Sequence, residues 1–141
     1  MTRLHVIIPG DPVPYTRARF NTRTGNVYTP QKYRAWKEGA ALLIKSAARG
    51  KKFYFSNGIG WSYRDSKVRV RMNLYTATRR GDWDNYYKAA LDAIVKSGVI
   101  LNDNRTCVGP PLDGTDAIDM TNPRIELEIL AVRISSCVPP F

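Results

Sequence analysis

The sequence lacks the features that mark membrane-spanning, disulfide-rich and zinc-binding proteins. Its longest uninterrupted apolar run covers only five residues, 40–44, which is too short to span a bilayer. Two cysteines, Cys107 and Cys137, are too few for a disulfide scaffold, and a single histidine excludes a Cys/His zinc cluster. The first residues do not form the long apolar core of a signal peptide. We therefore expect a cytoplasmic protein with reduced thiols.

Acidic side chains are scarce in the first 80 residues, which carry 17 Lys and Arg but only 3 Asp and Glu. Residues 81–141 have the opposite balance, with 5 basic and 9 acidic side chains, and the whole chain has a formal net charge of +10. A basic surface of this size is typical of proteins that bind nucleic acid, although charge that only keeps a protein in solution is the alternative. The acidic part indicates a separate site with a different chemistry.

The apolar pattern predicts one domain over residues 1–141, with an α+β fold in which two main helices pack on a mixed sheet. Period-2 alternation predicts the strands, and apolar spacing of three and four residues predicts the helices. The strands are expected at 3–9, 67–75, 99–101 and 124–132, and the helices at 30–49 and 84–97.

Turn and cap residues refine this outline. Thr29 is the expected N-cap of the first helix, Gly98 the stop of the second, and Gly25-Asn26 the turn of a small hairpin. The second helix is expected to bury one apolar face, formed by Tyr87, Leu91, Ile94 and Val95. Residues 51–66 are interpreted as an aromatic insert, and residues 136–141 as a loose tail.

Two carboxylates and a lysine lie close together where the second predicted helix begins. Asp82 and Asp84 are two residues apart at a strand-to-helix junction, and Lys88 follows Asp84 by four residues. This spacing places Asp84 and Lys88 on the same face of the helix. Structural roles are the alternative, because either aspartate could cap the helix and Asp84 could form a surface ion pair with Lys88.

A third carboxylate, Asp103, is expected to reach the same place. The helix rises by about 20 Å between Asp84 and Ser97, at about 1.5 Å per residue. Six residues of extended chain from Ser97 to Asp103 cover roughly the same distance. If the chain reverses at Gly98 and runs back along the helix, Asp103 arrives level with Asp82 and Asp84. A polar turn is the structural alternative for Asp103.

Three clustered carboxylates repel one another unless a cation binds among them. Oxygen ligands with open coordination positions suit Mg²⁺, which keeps several waters and binds phosphate oxygens of a substrate. Such an ion activates water and polarises a phosphodiester, and a nearby lysine stabilises developing charge. Together with the basic surface, these residues indicate a metal-dependent nuclease.

Two motifs in this part of the chain have a familiar spacing. Residues 81–93 read G-D-W-D-N-Y-Y-K-A-A-L-D-A, and residues 98–103 read G-V-I-L-N-D. They resemble the D-x-D-N-x-x-K-x-x-x-D-x-L helix and the G-x-x-x-D-D motif of RusA-type Holliday-junction resolvases. Residues 12–20 and 28–30 also resemble the N-terminal segment of that family. One departure is Asn102, which replaces the first acid of the D-D pair.

The resemblance implies a RusA-like domain in which Asp82, Asp84 and Asp103 are catalytic, metal-binding residues and Lys88 is a catalytic lysine. It implies Mg²⁺ as cofactor, with Mn²⁺ as a substitute, and no organic cofactor. It also implies a homodimer that resolves four-way DNA junctions by paired symmetric nicks in recombination and repair, without a membrane partner. Proteins of this kind are encoded by bacteria and their phages.

Seven arginines are expected to contact DNA because they lie in the arginine-rich N-terminal segment, on the polar face of the strand at 67–75, or beside the acidic pair. They are Arg17, Arg19, Arg23, Arg69, Arg71, Arg79 and Arg80. Two other functions compete with the resolvase interpretation. One is a non-catalytic nucleic-acid-binding protein with structural aspartates, and the other is a metal nuclease with another substrate. In nucleases with a restriction-type core, the lysine normally follows an acid by two residues on a strand. Here Lys88 follows Asp84 by four residues on a predicted helix, which argues against that class.

Overall fold

The computed structural model describes residues 2–49, 66–100, 102–103, 105 and 107–133, and it confirms the predicted α+β class. Two helices pack against one face of a four-stranded sheet of order β1-β6-β4-β5, antiparallel except that β5 runs parallel to β4. The elements are β1 (Thr2–Pro9), β2 (Arg19–Phe20), β3 (Val27–Tyr28), α1 (Gln31–Ala48), β4 (Ser66–Thr76), α2 (Trp83–Ser97), β5 (Asp116–Ile118) and β6 (Arg124–Arg133). The described helices include none that could cross a membrane.

The two long central strands, β4 and β6, form the floor of the core because their side chains alternate between buried and less buried positions. The buried residues face one another across the antiparallel register, as in the pair Met72 and Leu127, and Leu130 is buried in addition. Helix α1 adds Ile44 to the same core and α2 adds Ile94. The strands predicted at 3–9, 67–75 and 124–132 are therefore confirmed.

Both predicted helices are present, with small differences in their ends and faces. Pro30, and not Thr29, occupies the N-cap position of α1, so the helix begins one residue later than expected. Gly98 ends α2 as predicted, with a φ of 85° that favours glycine. Of the four residues expected on the buried face of α2, Ile94 is buried, while Tyr87, Leu91 and Val95 are only partly buried. The buried residues of α2 are Tyr86, Ala89, Ala90, Ala93, Ile94 and Ser97.

One predicted strand does not form at Val99 and Ile100, and one strand is present that was not predicted. Val99 and Ile100 are buried but lie outside any strand, and the third residue of that predicted strand lies outside the described residues. Strand β5 was not expected, because it lies in a polar Asp/Gly/Thr-rich stretch that favours turns. It forms because Gly114 lets the connection approach β4 closely: a Cβ at that position would lie 2.0 Å from the carbonyl oxygen of Met72.

The predicted hairpin is confirmed as the separate two-stranded sheet β2–β3, with Gly25 in its turn at a φ of 73°. Asn21 accepts a backbone hydrogen bond from Gly25 (2.8 Å), and its side chain accepts one from the backbone N–H of Arg23 (2.9 Å). The interpreted insert lies outside the described residues, apart from its last residue, Ser66, which begins β4. The interpreted tail, 136–141, also lies outside them.

Candidate active site

Asp82 and Asp84 lie where the chain passes from the end of β4 into α2. Asp82 occupies the N-cap position with extended backbone angles, and Asp84 lies in the first turn. Both side chains are exposed, and Asp82 makes no side-chain cap hydrogen bond. Among the described residues, neither carboxylate accepts a hydrogen bond or pairs with a cation. A capping role therefore does not account for these two side chains.

Lys88 lies one turn after Asp84 but is not paired with it. Its Nζ lies 4.1 Å from the centroid of the Tyr15 ring, in cation–π geometry. In the described part of the chain the amine has no carboxylate partner, so the second structural alternative, a surface ion pair, is also not observed. The Tyr15 ring faces one side of the amine, and the N–H donors on its other side remain available to a ligand.

Tyr15 is a site residue that sequence reasoning missed, although it lies in the N-terminal segment that resembles the family. Its backbone N–H donates to the carbonyl oxygen of Asn85 (3.0 Å), which ties this segment to the first turns of α2. Its ring is in T-shaped contact with the Tyr33 ring, with centroids 5.6 Å apart. These two contacts keep the ring beneath the amine of Lys88.

Tyr33 in turn connects the two helices. Its hydroxyl donates to Oδ2 of Asp92 on α2 at 2.5 Å. Burial, together with this hydrogen bond, raises the pKa of Tyr33 far above its ordinary value, so the hydroxyl remains a proton donor at physiological pH. The Tyr33 side chain is almost completely buried. It thus forms a rigid support for the ring of Tyr15.

Asp103 is not grouped with Asp82 and Asp84, contrary to the expectation from chain length. It lines an open cavity with Asp92 and Val95 of α2 and Lys37 of α1. The physical reason is that the chain bends directly after Gly98, where Val99 and Ile100 are buried in the core. Within the described ranges, no three His, Cys, Asp or Glu side chains are grouped so that they could hold a metal ion.

Arg79 and Arg80 flank the acidic pair on its N-terminal side, as the sequence predicts. Both are exposed, and they line a small cavity with Trp83 at the start of α2. The hydroxyl of Tyr86 donates to the backbone carbonyl of Arg80 (2.8 Å), and the Arg80 guanidinium lies 3.6 Å from a carboxylate oxygen of Asp11. The backbone that carries the two arginines is therefore held against α2.

The other five arginines fall into two groups. Arg17, Arg19 and Arg23 are exposed on and beside the β2–β3 hairpin. Arg69 and Arg71 instead hold the connection to β5, because their Nε atoms donate to the carbonyl oxygens of residues 110 and 113, each at 2.9 Å. The guanidinium of Arg71 also pairs with the carboxylate of Glu128 at 2.5 Å, so its charge is compensated within the sheet.

The residues at the start of α2 fit a hard divalent cation. Magnesium is commonly bound through one or two carboxylates, with waters and substrate phosphates completing its octahedron. Asp82 and Asp84 provide two exposed carboxylates that no described side chain neutralises. The fit concerns these two aspartates, because the structure places Asp103 elsewhere.

The fold is α+β, and the start of α2 carries two carboxylates without a described partner, a lysine and two arginines, a set of groups that suits phosphodiester chemistry. Comparison with protein families identifies the family of this chain. Residues 9–130 match the family described as endodeoxyribonuclease RusA, so the chain belongs to that family. A search among curated proteins found no match. The family is that of Holliday-junction-resolving endonucleases, and this confirms the resemblance seen in the two sequence motifs.

Proposed function

We propose that this protein is a Mg²⁺-dependent, structure-selective endodeoxyribonuclease that resolves four-way DNA junctions by paired symmetric nicks in recombination and repair. Mn²⁺ is expected to substitute for Mg²⁺. The observation that supports this proposal most concerns the side chains of Asp82 and Asp84. They make no cap hydrogen bond to α2 and do not pair with Lys88. Exposed carboxylates without a structural partner, in a chain of this family, are what a metal site for a phosphodiester substrate requires.

Asp82 and Asp84 are the proposed metal ligands and catalytic residues. When bound, the ion supplies an activated water and a Lewis acid for the scissile phosphate. We propose Asp103 as a further catalytic residue because of its motif alone, since the structure places it in the cavity beside α2 and does not group it with Asp82 and Asp84. Lys88 donates hydrogen bonds from its amine to the phosphate or to the leaving oxygen.

The arginines with exposed, uncompensated side chains are the proposed phosphate contacts outside the reacting centre. They are Arg17, Arg19, Arg23 and Arg79, with Arg80 beside them. Arg69 and Arg71 were expected to contact DNA as well, but their Nε donors already serve the connection to β5, so we propose no phosphate contact for them.

Paired nicks require two active sites on one junction. A homodimer with two-fold symmetry presents two identical sites to a substrate with approximate two-fold symmetry, and we propose that assembly here. We also propose a cytoplasmic location in a bacterium, with either the bacterium or a phage as the source of the gene.

The test is cleavage of three labelled substrates, a synthetic four-way junction, a linear duplex and a single strand, each with Mg²⁺ and with EDTA. We expect symmetric nicks in the junction with Mg²⁺ only. Equal binding and no cleavage under all conditions would identify a non-catalytic binding protein, and preferential cleavage of a linear substrate would identify a nuclease of another class.

A further inference from the structure

The β2–β3 hairpin presents large apolar side chains to solvent. Phe20 and Val27 are opposite one another in the register and are 62% and 69% exposed. Paired residues of an antiparallel ladder lie on the same face, so these two form one apolar patch. On the other face Tyr28, which is 48% exposed, lies opposite Arg19. Both faces of the hairpin are thus open to a partner.

The charge around this patch favours a polyanion. Residues 16–30 contain three arginines and no acidic residue. In the part of the chain that the structure describes, the side chains of Arg17, Arg19 and Arg23 form neither ion pairs nor hydrogen bonds. Aromatic side chains among unpaired arginines are the usual means of binding nucleic acid through base stacking and phosphate contacts.

Both ends of the hairpin segment are held at the candidate active site. Tyr15, which precedes it, lies under the amine of Lys88, and Tyr33, which follows it, touches the ring of Tyr15. Phe20 is five residues from Tyr15, so the chain between them spans at most about 17 Å at about 3.3 Å per residue. Nucleotides close to a phosphate bound at Lys88 are therefore within reach of Phe20.

We propose that the hairpin recognises the branch point of the DNA. Phe20, with Val27 beside it, stacks on a base that is left unstacked at the open centre of a four-way junction, while Arg17, Arg19 and Arg23 bind the flanking phosphates. Stacking of this kind is indifferent to base identity because every base has a π-face. This inference rests on the proposed function and adds the basis of selectivity, since an intact linear duplex exposes no base face.

The test measures binding in EDTA, so that cleavage does not contribute. The variants are Phe20→Ala, Phe20→Trp as the rescue, and Leu42→Ala as the matched control, because Leu42 is a large apolar side chain of similar exposure on α1 (69%). The probes are a four-way junction with 2-aminopurine at the branch point and a linear duplex of the same arms. We expect Phe20→Ala to lose at least about fivefold in junction affinity, with unchanged duplex affinity. Phe20→Trp and Leu42→Ala should behave as the wild type.

The fluorescence of 2-aminopurine reports whether the branch-point base is restacked. An unchanged signal on wild-type binding, or equal junction affinity in the wild type and Phe20→Ala, would overturn the inference. Sedimentation showing that Phe20→Ala dissociates the assembly, with junction affinity lost only as dissociation occurs, would also overturn it by assigning the hairpin to contact between copies.

These outcomes are separable from failure of the proposed function. A wild type that cuts junctions with Mg²⁺, but whose junction affinity does not depend on Phe20, leaves the nuclease proposal intact and removes this one. A wild type that cuts nothing, but whose junction affinity depends on Phe20, removes the nuclease proposal and leaves this inference intact.

Discussion

Lys88 is positioned by an aromatic ring and not by the carboxylate one turn before it. The ring belongs to Tyr15, whose backbone N–H is hydrogen-bonded to Asn85 and whose ring is in T-shaped contact with that of Tyr33. A lysine held in this way keeps its positive charge uncompensated, which is what a group that approaches phosphate needs. A partner carboxylate would have reduced that charge.

Replacing Tyr15 should therefore impair turnover more than stability. We expect Tyr15→Leu, which removes the π-face, to lower the single-turnover rate of junction cleavage by about two- to fivefold, corresponding to a cation–π contact of about 0.5–1 kcal/mol. Tyr15→Phe keeps the ring and should retain the rate. Rates of both variants at saturating protein, with melting temperatures alongside, check this. A Tyr15→Leu variant that cuts at the wild-type rate would show that the contact does not position the amine.

Two adjacent tyrosines of α2 differ in what their hydroxyls do. The hydroxyl of Tyr86 donates to the carbonyl oxygen of Arg80, whereas that of Tyr87 is buried and, among the described residues, has no hydrogen-bond partner. Tyr87→Phe should therefore stabilise the fold by about 1 kcal/mol, and Tyr86→Phe should destabilise it by a similar amount. Urea denaturation of the two variants measures both changes, and a loss of stability in Tyr87→Phe would contradict the assignment.

The buried hydroxyl of Tyr87 should also make the stability of the fold depend on pH in the alkaline range. Burial raises the pKa of Tyr87 to about 12, while the ordinary value is about 10. Between these values the unfolded chain releases the proton and the folded chain keeps it, so stability falls as pH rises through this window. Tyr87→Phe should remove part of that fall.

At the scale of elements, β5 depends on the absence of a side chain at Gly114. A Cβ there would lie 2.0 Å from the backbone oxygen and 2.8 Å from the backbone carbon of Met72, and backbone atoms within β4 cannot move aside cheaply. We expect Gly114→Ala to destabilise the fold by roughly 1–3 kcal/mol.

The matched control is Gly39→Ala. Gly39 lies within α1, where an added Cβ meets nothing within 4 Å. Because alanine has a higher helix propensity, this variant should be more stable by about 0.5–1 kcal/mol. Thermal or denaturant unfolding measures the stability of the two variants. If Gly114→Ala were as stable as Gly39→Ala, the close approach of β5 to β4 would be contradicted.

The elements that the sequence predicted correctly are those whose identity depends on local pattern. The strand at 67–75 alternates without interruption, and α2 carries apolar spacing up to a glycine stop, so neither needs a distant partner to be recognised. Strand β5 has no such pattern, because only its parallel pairing with β4 makes it a strand. On the inner face of α2 the prediction of Ile94 is confirmed, whereas the buried alanines were missed because their small side chains carry little apolar signal.

The candidate site was predictable to the same extent. Asp82, Asp84 and Lys88 are grouped by the geometry of one helix start, so their spacing was sufficient. Chain length was not enough to place Asp103, because the chain bends after Gly98 and buries Val99 and Ile100. Tyr15 could not be found because its contact with the helix joins segments far apart in the sequence.

At the scale of the whole molecule, the charge is divided between a basic surface and an acidic site. The exposed arginines of the hairpin, with Arg79, have no described charge partner, whereas Arg71 is paired with Glu128. Duplex affinity in EDTA should fall with salt by roughly 0.9 log units per log unit for each phosphate contact. Arg79→Gln should reduce this slope by about one contact, and Arg71→Gln should leave it unchanged. Equal slopes for the two variants would contradict this division.

The most direct test of the account is the rate at which Asp84→Asn cuts a four-way junction in Mg²⁺, compared with the wild type and with Asp113→Asn. Asp113 is an exposed aspartate away from the start of α2, so its variant controls for the lost charge. We predict a fall of at least ~100-fold for Asp84→Asn, an unchanged rate for Asp113→Asn, and junction binding in EDTA that is equal or tighter. If folded Asp84→Asn protein cut the junction at the wild-type rate, the proposed role of Asp84 in the active site would be contradicted.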